Sequence, residues 1–485
     1  MRLYISNFKK ILYAFASLLL IAALCVPLLL KCFKITWRPR ENLFYFYQLE
    51  KNSLDVINIG SSHVYCSINT IDMYRKSGIT AYNLAAGAQP VWFSYYYLKE
   101  ALKTQNPKLV ILDVYTVRET EDEAFADKVQ MNILTLKPSL DKLEAVWISE
   151  TNDKWNVFWG FPKIHARYRE VTAEEYSEDV CRNMMGYAYM PSAEAKDNAK
   201  VLDAENVSTI LPISEKAEKY LRKCIELCQE KNIAIVLVNS PFADVKREDE
   251  ERYNYVAEIA SEYGIDFIDG CRLYKQLGID YRSDNAEDSH LSYSGSLKWT
   301  EYLRQYLTER YQLPDHRGER KIWEDASAAL DQLLISEHLK ELDSAEAYIK
   351  YLQDNSDAVS YIIAAHTGKN VDEEIQRLLL EMGLDMTEEK CGYVLSLKEG
   401  YTSTQGGMDS DKQLYAAIYD SLQSKKEQIE DSHLKNLLLQ YTQKIADSRT
   451  TEGVLCVVLD PYSYLPLDIV EFKEAEAYMR SESSN

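Results

Sequence analysis

The sequence predicts an α/β fold: a doubly wound parallel sheet between two layers of helices, followed by a small α+β unit. Aliphatic runs of strand length alternate with segments of helical period after residue 50, and these runs contain few polar residues. Strands that alternate with helices pair in parallel through right-handed crossovers. Strands that are apolar along their length fit a sheet covered on both faces.

Chain length and composition indicate more than one folded unit. The chain has 485 residues, 46% of them hydrophobic and 27% charged, which is typical of globular proteins and exceeds what one hydrophobic core usually supports. We place the larger unit at residues 46–312 and the smaller at 345–485. The turn-forming sequence Pro314-Asp315-His316-Arg317-Gly318 marks the boundary between them.

An uncharged apolar segment occupies residues 11–30, between Lys10 and Lys31. At about 1.5 Å per residue, a helix of this length crosses a hydrocarbon core of about 30 Å. The run is longer than that of a cleaved signal peptide. We therefore expect an uncleaved single transmembrane anchor after a short N-terminal segment, residues 1–10. Basic residues flank the segment on both sides, so charge alone does not set its orientation.

The remaining elements follow the anchor in order. Predicted strands cover residues 56–59, 109–112, 233–238 and 265–268, and predicted helices cover 68–74, 91–102, 217–228 and 255–263. Between about residue 128 and about residue 201, strands and helices do not alternate clearly. We interpret this stretch as an insertion over the sheet. Insertions of this kind often shape substrate access. In the smaller unit, apolar runs at 361–365, 392–395 and 454–459 predict strands.

Charge and cysteine content exclude two classes of function. The 55 Lys+Arg and 76 Asp+Glu residues give a net charge of −21, which repels nucleic acid backbones, so no nucleic acid partner is expected. The nine cysteines are scattered, and the closest pair, Cys224 and Cys228, has helical spacing without a second pair. Neither a metal site nor a disulfide framework is predicted.

A candidate nucleophile follows the first predicted strand, in the turn Gly60-Ser61-Ser62 before a helix. Ligands of open α/β sheets bind at the carboxyl ends of the strands. A serine in such a turn is commonly a helix cap. Unpaired N–H groups and the positive end of the helix dipole can also stabilise charge on a tetrahedral intermediate there. The position therefore favours Ser62 as a nucleophile.

Three segments resemble sequence blocks of the SGNH, or GDSL-type, hydrolases. They are Gly60-Ser61-Ser62, with Ser61 where the first block has Asp; Asn83-Leu84-Ala85-Ala86-Gly87-Ala88-Gln89, similar to the second block; and Glu287-Asp288-Ser289-His290, similar to the last. The resemblance covers roughly residues 50–312. It is closest to anchored surface proteins related to those of teichoic-acid D-alanylation and exopolysaccharide O-acetylation.

The resemblance implies a role for each matching residue. Ser62 is the expected nucleophile, His290 the general base, and Gly87 a backbone donor of the oxyanion hole. Spacing favours Glu287 as the acid that orients the histidine, whereas side-chain type and the related surface proteins favour Asp288, and we expect Asp288. Such a site forms an acyl-enzyme and needs no cofactor.

One oxyanion donor is left unassigned. The third block of the family normally supplies an Asn, but the corresponding strand here ends in Leu112-Asp113-Val114-Tyr115. Asn83, Gln89 and Arg167, the last in the insertion, are the candidates that can replace it. The sequence does not choose among them.

The resemblance also implies a location and a substrate class. We expect an extracytoplasmic, membrane-anchored serine esterase or acyl-transfer protein that acts on acyl esters of a cell-surface glycan or polymer, with a membrane acyltransferase as one partner. Residues 1–10 then lie in the cytoplasm. The alternative is a catalytically weak, SGNH-like accessory or binding protein of cell-envelope modification, which the missing Asn supports. Sequence alone does not separate hydrolysis from transfer, because the difference lies in the acceptor.

Overall fold

The structure is a computed structural model that forms two compact units, Met1–Ala329 and Leu330–Asn485. It describes residues 10, 12–21, 25, 38–119, 128–134, 136–149, 151, 154–159, 184–192, 201–287, 289–366, 373–385, 391–397, 401–424, 453–459, 466–473 and 476–480.

The larger unit is built on a five-stranded parallel sheet. Its strands are β1 (Val56–Gly60), β2 (Ala81–Ala85), β3 (Leu109–Asp113), β4 (Ala234–Asn239) and β5 (Phe267–Asp269). They pair in the order β2-β1-β3-β4-β5, with every pairing parallel. This is the strand order of flavodoxin-like doubly wound sheets, so the predicted parallel α/β architecture is confirmed.

Helices surround this sheet. They are α1 (Arg38–Phe46), α2 (Ser62–Ser67), α3 (Thr70–Ser77), α4 (Val91–Ala101), α5 (Val129–Ile133), α6 (Leu140–Trp147), α7 (Lys154–Trp159), α8 (Glu215–Glu230), α9 (Arg247–Tyr263), α10 (Gly270–Leu273) and α11 (Tyr293–Arg310). Alternate residues of β3 and β4 and the first residue of β1, Val56, join Trp299 and Leu303 of α11 in one buried cluster. Helices α4 and α8 contact each other. Helix α4 also contacts β1, and α8 contacts β4. Two short strands, β6 (Asn285–Glu287) and β7 (His290–Leu291), form a hairpin before α11.

The stretch interpreted as an insertion contains short helices. In its described part lie α5, α6 and α7, which are too short to show a clear helical period in the sequence. Residues 184–192 return to the sheet: the Ala188 N–H donates to the Tyr65 carbonyl at 2.7 Å, and the Tyr293 N–H donates to the Met190 carbonyl at 2.8 Å. These two bonds tie the end of the insertion to α2 and α11.

The structure describes 11 of the 20 residues of the predicted anchor. Of residues 11–30, the structure describes 12–21 and 25, all helical, and Leu18, Leu20 and Ile21 are more than half exposed. Within the described part of the chain, no helix has both the length and the apolar character needed to span a membrane.

The smaller unit is an antiparallel α+β structure. Its helices are α12 (Lys321–Glu341), which begins before the division between the units, α13 (Ala345–Asp354), α14 (Glu373–Glu381) and α15 (Asp411–Ser424). Its strands are β8 (Ser360–His366), β9 (Cys391–Leu397), β10 (Tyr401–Met408), β11 (Gly453–Leu459), β12 (Pro466–Lys473) and β13 (Glu476–Arg480), in the order β10-β9-β8-β11-β12-β13. Ile363 packs in one buried cluster with Tyr348 of α13, while Ile362 packs in another with Leu414 of α15. Both faces of the sheet are therefore covered.

Candidate active site

The Ser62 turn is held by a close approach between two strands. A Cβ atom on Gly60 would lie 2.4 Å from the Cβ of Asp113, so only glycine fits at the end of β1. Ser61 caps α2, with its Oγ accepting from the His63 N–H at 3.2 Å. Ser62 is the first residue of α2 and is partly exposed. The tight turn thus places a serine hydroxyl at the carboxyl edge of the sheet.

His290 reaches this hydroxyl from the β6–β7 hairpin. Its Nε2 lies 2.7 Å from Ser62 Oγ, although 228 residues separate the two in sequence. The imidazole is 16% exposed. Since 2.7 Å is a normal hydrogen-bond distance, His290 is positioned to accept the Ser62 proton, and the structure brings the expected nucleophile and base together.

The carboxylate that meets the other ring nitrogen of His290 is Glu287. The two residues are cross-strand partners in the hairpin, and Glu287 Oε1 accepts a hydrogen bond from His290 Nδ1. Ser289 Oγ also lies 3.2 Å from Nδ1. A proton held on Nδ1 leaves Nε2 free to act as the base. Asp288, which we expected in this role, lies outside the described residues.

Asp113 is a functional candidate that the sequence analysis missed. Its Oδ2 accepts from Ser61 Oγ at 2.8 Å and from the Ser61 N–H at 3.1 Å, and its Oδ1 accepts from the Tyr115 N–H at 3.2 Å. Burial raises the pKa of Asp113 to about 6, although these hydrogen bonds oppose the rise. Asp113 therefore positions the residue before the nucleophile. An acid at the end of a predicted strand was the available signal.

Two backbone donors are available for an oxyanion. Gly60 and Ala85 are paired in register between β1 and β2, and Ser62 and Gly87 each lie two residues further along. Neither the Ser62 nor the Gly87 N–H donates a hydrogen bond within the described part of the chain. Asn132 Nδ2 donates to the Gly87 carbonyl at 3.2 Å and so holds the loop that contains Gly87. Ser62 and Gly87 therefore both follow the carboxyl ends of neighbouring strands, which makes their N–H groups the candidate donors.

The side chains considered as a further donor are engaged elsewhere or not described. Asn83 Nδ2 donates to the Ile68 carbonyl at 2.7 Å and to the Val64 carbonyl at 3.4 Å, so its amide protons hold the end of α2. Gln89 is buried and donates to Ser94 Oγ at 3.0 Å. Arg167 lies outside the described residues. Asn83 and Gln89 are therefore both engaged away from Ser62 among the described residues.

His63 is buried next to His290. Its ring stacks on Tyr115 at a centroid distance of 3.5 Å and lies 5.1 Å from the His290 ring. Neither ring nitrogen has a hydrogen-bond partner among the residues that the structure describes. Burial, together with the neighbouring His290 and Arg118, lowers the pKa of His63 well below its ordinary value. A neutral imidazole at this position packs against His290.

Comparisons with known proteins find similar structures but no similar sequence. The sequence matches no protein-family model and no curated protein. One similar solved structure is described as a lipolytic protein of the G-D-S-L family from Desulfitobacterium hafniense; it is 13% identical, covers 52% of this chain and 97% of that one, and gives a TM-score of 0.28. Another, described as an acylhydrolase from Bacteroides fragilis, is 11% identical and covers 57% and 99%, with a TM-score of 0.30.

A third similar structure is an acetyl-xylooligosaccharide esterase mutant from Geobacillus, 13% identical over 54% of this chain and 98% of that one, with a TM-score of 0.27. All three are GDSL-type, acylhydrolase or esterase structures. Their identities and TM-scores are too low to carry an argument about activity. The functional assignment of this chain therefore rests on the arrangement of Ser62, His290 and Glu287.

Proposed function

We propose that this chain is a serine esterase or acyltransferase of the SGNH type. The observation that carries the proposal is the 2.7 Å separation of Ser62 Oγ from His290 Nε2, with Glu287 at the other ring nitrogen. Nucleophile, base and orienting acid in this order form a catalytic triad. The site lies at the carboxyl edge of a doubly wound sheet, where ligands bind in such folds.

The geometry supports a two-step reaction. His290 Nε2 takes the Ser62 proton as Oγ bonds to the ester carbonyl carbon, and the oxyanion is stabilised by the N–H groups of Ser62 and Gly87. When the intermediate collapses, the alcohol leaves with the proton from the imidazolium, which Glu287 has stabilised. Water or another hydroxyl then attacks the acyl-enzyme with His290 as base, and Ser62 is regenerated.

The proposal extends to location and substrate. We place the catalytic unit outside the cytoplasm, anchored by residues 11–30 and acting on acyl esters of a cell-surface glycan or polymer, with a membrane acyltransferase as a partner. Support comes from the span-length apolar run and from the exposed side chains of its described part. The resemblance of the sequence blocks to those of anchored surface proteins supports the substrate class.

The second candidate function is a catalytically weak accessory or binding protein. It is favoured by the hydrogen bonds of Asn83, a candidate oxyanion donor. Its amide group donates instead to the carbonyls of Val64 and Ile68 at the end of α2. Loss of one oxyanion donor costs about 10²–10³ in turnover. A site in which the described residues supply two backbone donors can therefore retain the fold while turning over esters slowly.

Turnover of an O-acetyl ester by the full chain in detergent micelles tests the proposal. We expect Ser62→Ala and His290→Ala each to remove nearly all turnover, while His433→Ala, in the second Asp-Ser-His sequence of the chain, has no effect. Acetate released into water identifies an esterase, and acetyl groups found on an added glycan identify a transferase. Turnover that survives Ser62→Ala would contradict the proposal.

A further inference from the structure

Helices α6 and α7 present a cluster of aromatic side chains to solvent. Trp147, Trp155 and Trp159 are 48%, 59% and 65% exposed. The rings of Trp147 and Trp155 meet edge to face at 5.3 Å, and Phe158 meets Trp159 at 5.0 Å. We call these four residues the tryptophan patch. Contiguous exposed apolar patches on soluble proteins commonly mark interaction surfaces.

The tryptophan patch is structurally continuous with the helix that follows the predicted anchor. Helix α1 contacts α5, and α5 contacts both α6 and α7. Helix α1 also contacts the sheet, since Asn42 Nδ2 donates to the Ala85 carbonyl at 3.2 Å. Residue 38, where α1 begins, is eight residues beyond residue 30, a stretch that spans at most about 29 Å. The elements carrying the tryptophan patch are therefore tethered close to the end of the anchor.

The chemistry of the tryptophan patch matches the membrane–water interface. Tryptophan has an apolar body and a polar N–H, and it is enriched where bilayers meet water. A lysine accompanies the rings: Lys154 Nζ donates to the Trp147 carbonyl at 2.6 Å. Lysine side chains next to apolar surface keep their ammonium groups in the headgroup region.

We propose that the tryptophan patch rests in the headgroup region of the membrane that holds the anchor, as a second membrane contact. The inference rests on the membrane anchoring in the proposed function. It does not depend on attraction to anionic lipid, because a chain of net charge −21 is repelled by it. Neutral phosphatidylcholine is therefore a sufficient partner.

This contact also constrains the substrate. Helix α5, which contacts the two helices of the tryptophan patch, carries Met131 and Asn132. Asn132 donates to the Gly87 carbonyl, and a Cβ on Gly87 would lie 3.1 Å from Met131 Sδ. The loop that contains Gly87 is thus linked through α5 to the two helices that carry the tryptophan patch. Acyl esters presented at the bilayer surface are the substrates that such a placement favours.

Fluorescence quenching by brominated lipid tests the contact. The full chain is reconstituted into phosphatidylcholine vesicles and into vesicles whose phosphatidylcholine carries bromine near the headgroup end of its acyl chains. We expect quenching that persists in Trp37→Phe, the variant lacking the tryptophan nearest the anchor. In the triple variant Trp147→Phe/Trp155→Phe/Trp159→Phe, most of this quenching should be lost. Phenylalanine keeps most of the ring packing, and Ser62→Ala should quench like the wild type.

Several results overturn the inference. Equal quenching of the triple variant and the wild type shows that the tryptophan patch does not meet lipid, as does quenching that disappears in Trp37→Phe. If a soluble acetylated oligosaccharide shifts the emission while brominated lipid has no effect, the tryptophan patch binds glycan instead. A full chain that does not float with vesicles overturns both the lipid contact and the anchor. Loss of ester turnover with normal quenching contradicts only the catalytic proposal.

Discussion

The buried carboxyl of Asp113, next to the Ser62 turn, makes the free energy of unfolding depend on pH. Burial raises its pKa to about 6, whereas an aspartate in an unfolded chain titrates near 3.8. Between these values the folded protein binds more protons than the unfolded chain, so its free energy of unfolding falls as the pH rises. A difference of about two pKa units corresponds to about 3 kcal/mol. Asparagine does not titrate, so Asp113→Asn removes this dependence.

Urea unfolding at a series of pH values measures the effect. Between about pH 4 and about pH 7, the wild type should lose about 3 kcal/mol relative to Asp113→Asn. Tryptophan fluorescence reports the transition through the fully buried Trp299. The variant and the wild type are compared at each pH, so that any separate unfolding of the two units contributes equally to both free energies. Two unfolding free energies that run parallel over this range would refute the reasoning.

The same variants test the positioning role of Asp113. Asparagine keeps an oxygen that accepts from the Ser61 hydroxyl, so Asp113→Asn should turn over ester at a rate close to that of the wild type. Asp113→Ala leaves the Ser61 hydroxyl and N–H without this acceptor, and misplacement of the adjacent nucleophile should lower turnover about tenfold or more. Equal rates for the alanine and asparagine variants would remove the positioning role.

Three further predictions concern the acid, the anchor and the smaller unit. Glu287→Gln should lower ester turnover about 10²-fold. This is a small effect for an acid that orients a histidine, because the Glu287 carboxylate is 56% exposed. Asp288→Asn should change the turnover little. If both leave turnover intact while His290→Ala abolishes it, a dyad replaces the triad. A chain lacking residues 1–40 should remain in the supernatant after ultracentrifugation, and its complete recovery with membranes would contradict the single anchor. A chain ending at residue 344 should keep its turnover, because every candidate residue precedes Gly295; a folded truncation without activity would show that the smaller unit helps to build the site.

The fold could be predicted where strands are rich in large aliphatic residues. Residues 56–59, 109–112 and 233–238 correspond to β1, β3 and β4, but β2 gave no clear strand signal because Leu84 is the one large aliphatic residue of Ala81-Tyr82-Asn83-Leu84-Ala85. Asn83 is tolerated in this buried strand because Asn58 Nδ2 donates to its Oδ1 at 2.7 Å across the sheet. A pairing between two strands is not visible in the sequence of either one.

The site could be predicted where a local pattern carries it. Ser62 and His290 were found from short segments, and the structure brings them together. Asp113 was missed because its role depends on β3 lying beside β1, which no local pattern records. The choice between Glu287 and Asp288 depends on the register of the β6–β7 hairpin, which pairs Glu287 with His290. A shift of one residue in a strand turns its side chains to the other face.

Labelling with a fluorophosphonate tests the central claim, that Ser62 is a nucleophile activated by His290. We predict one equivalent of phosphonate per full chain in detergent, on Ser62 by peptide mass spectrometry. Labelling should be lost in Ser62→Ala, strongly slowed in His290→Ala and unchanged in Ser61→Thr, which keeps a hydroxyl to donate to Asp113. No labelling of a correctly folded wild type, or labelling that survives Ser62→Ala, would contradict the account, and the first of these results would favour an accessory or binding protein.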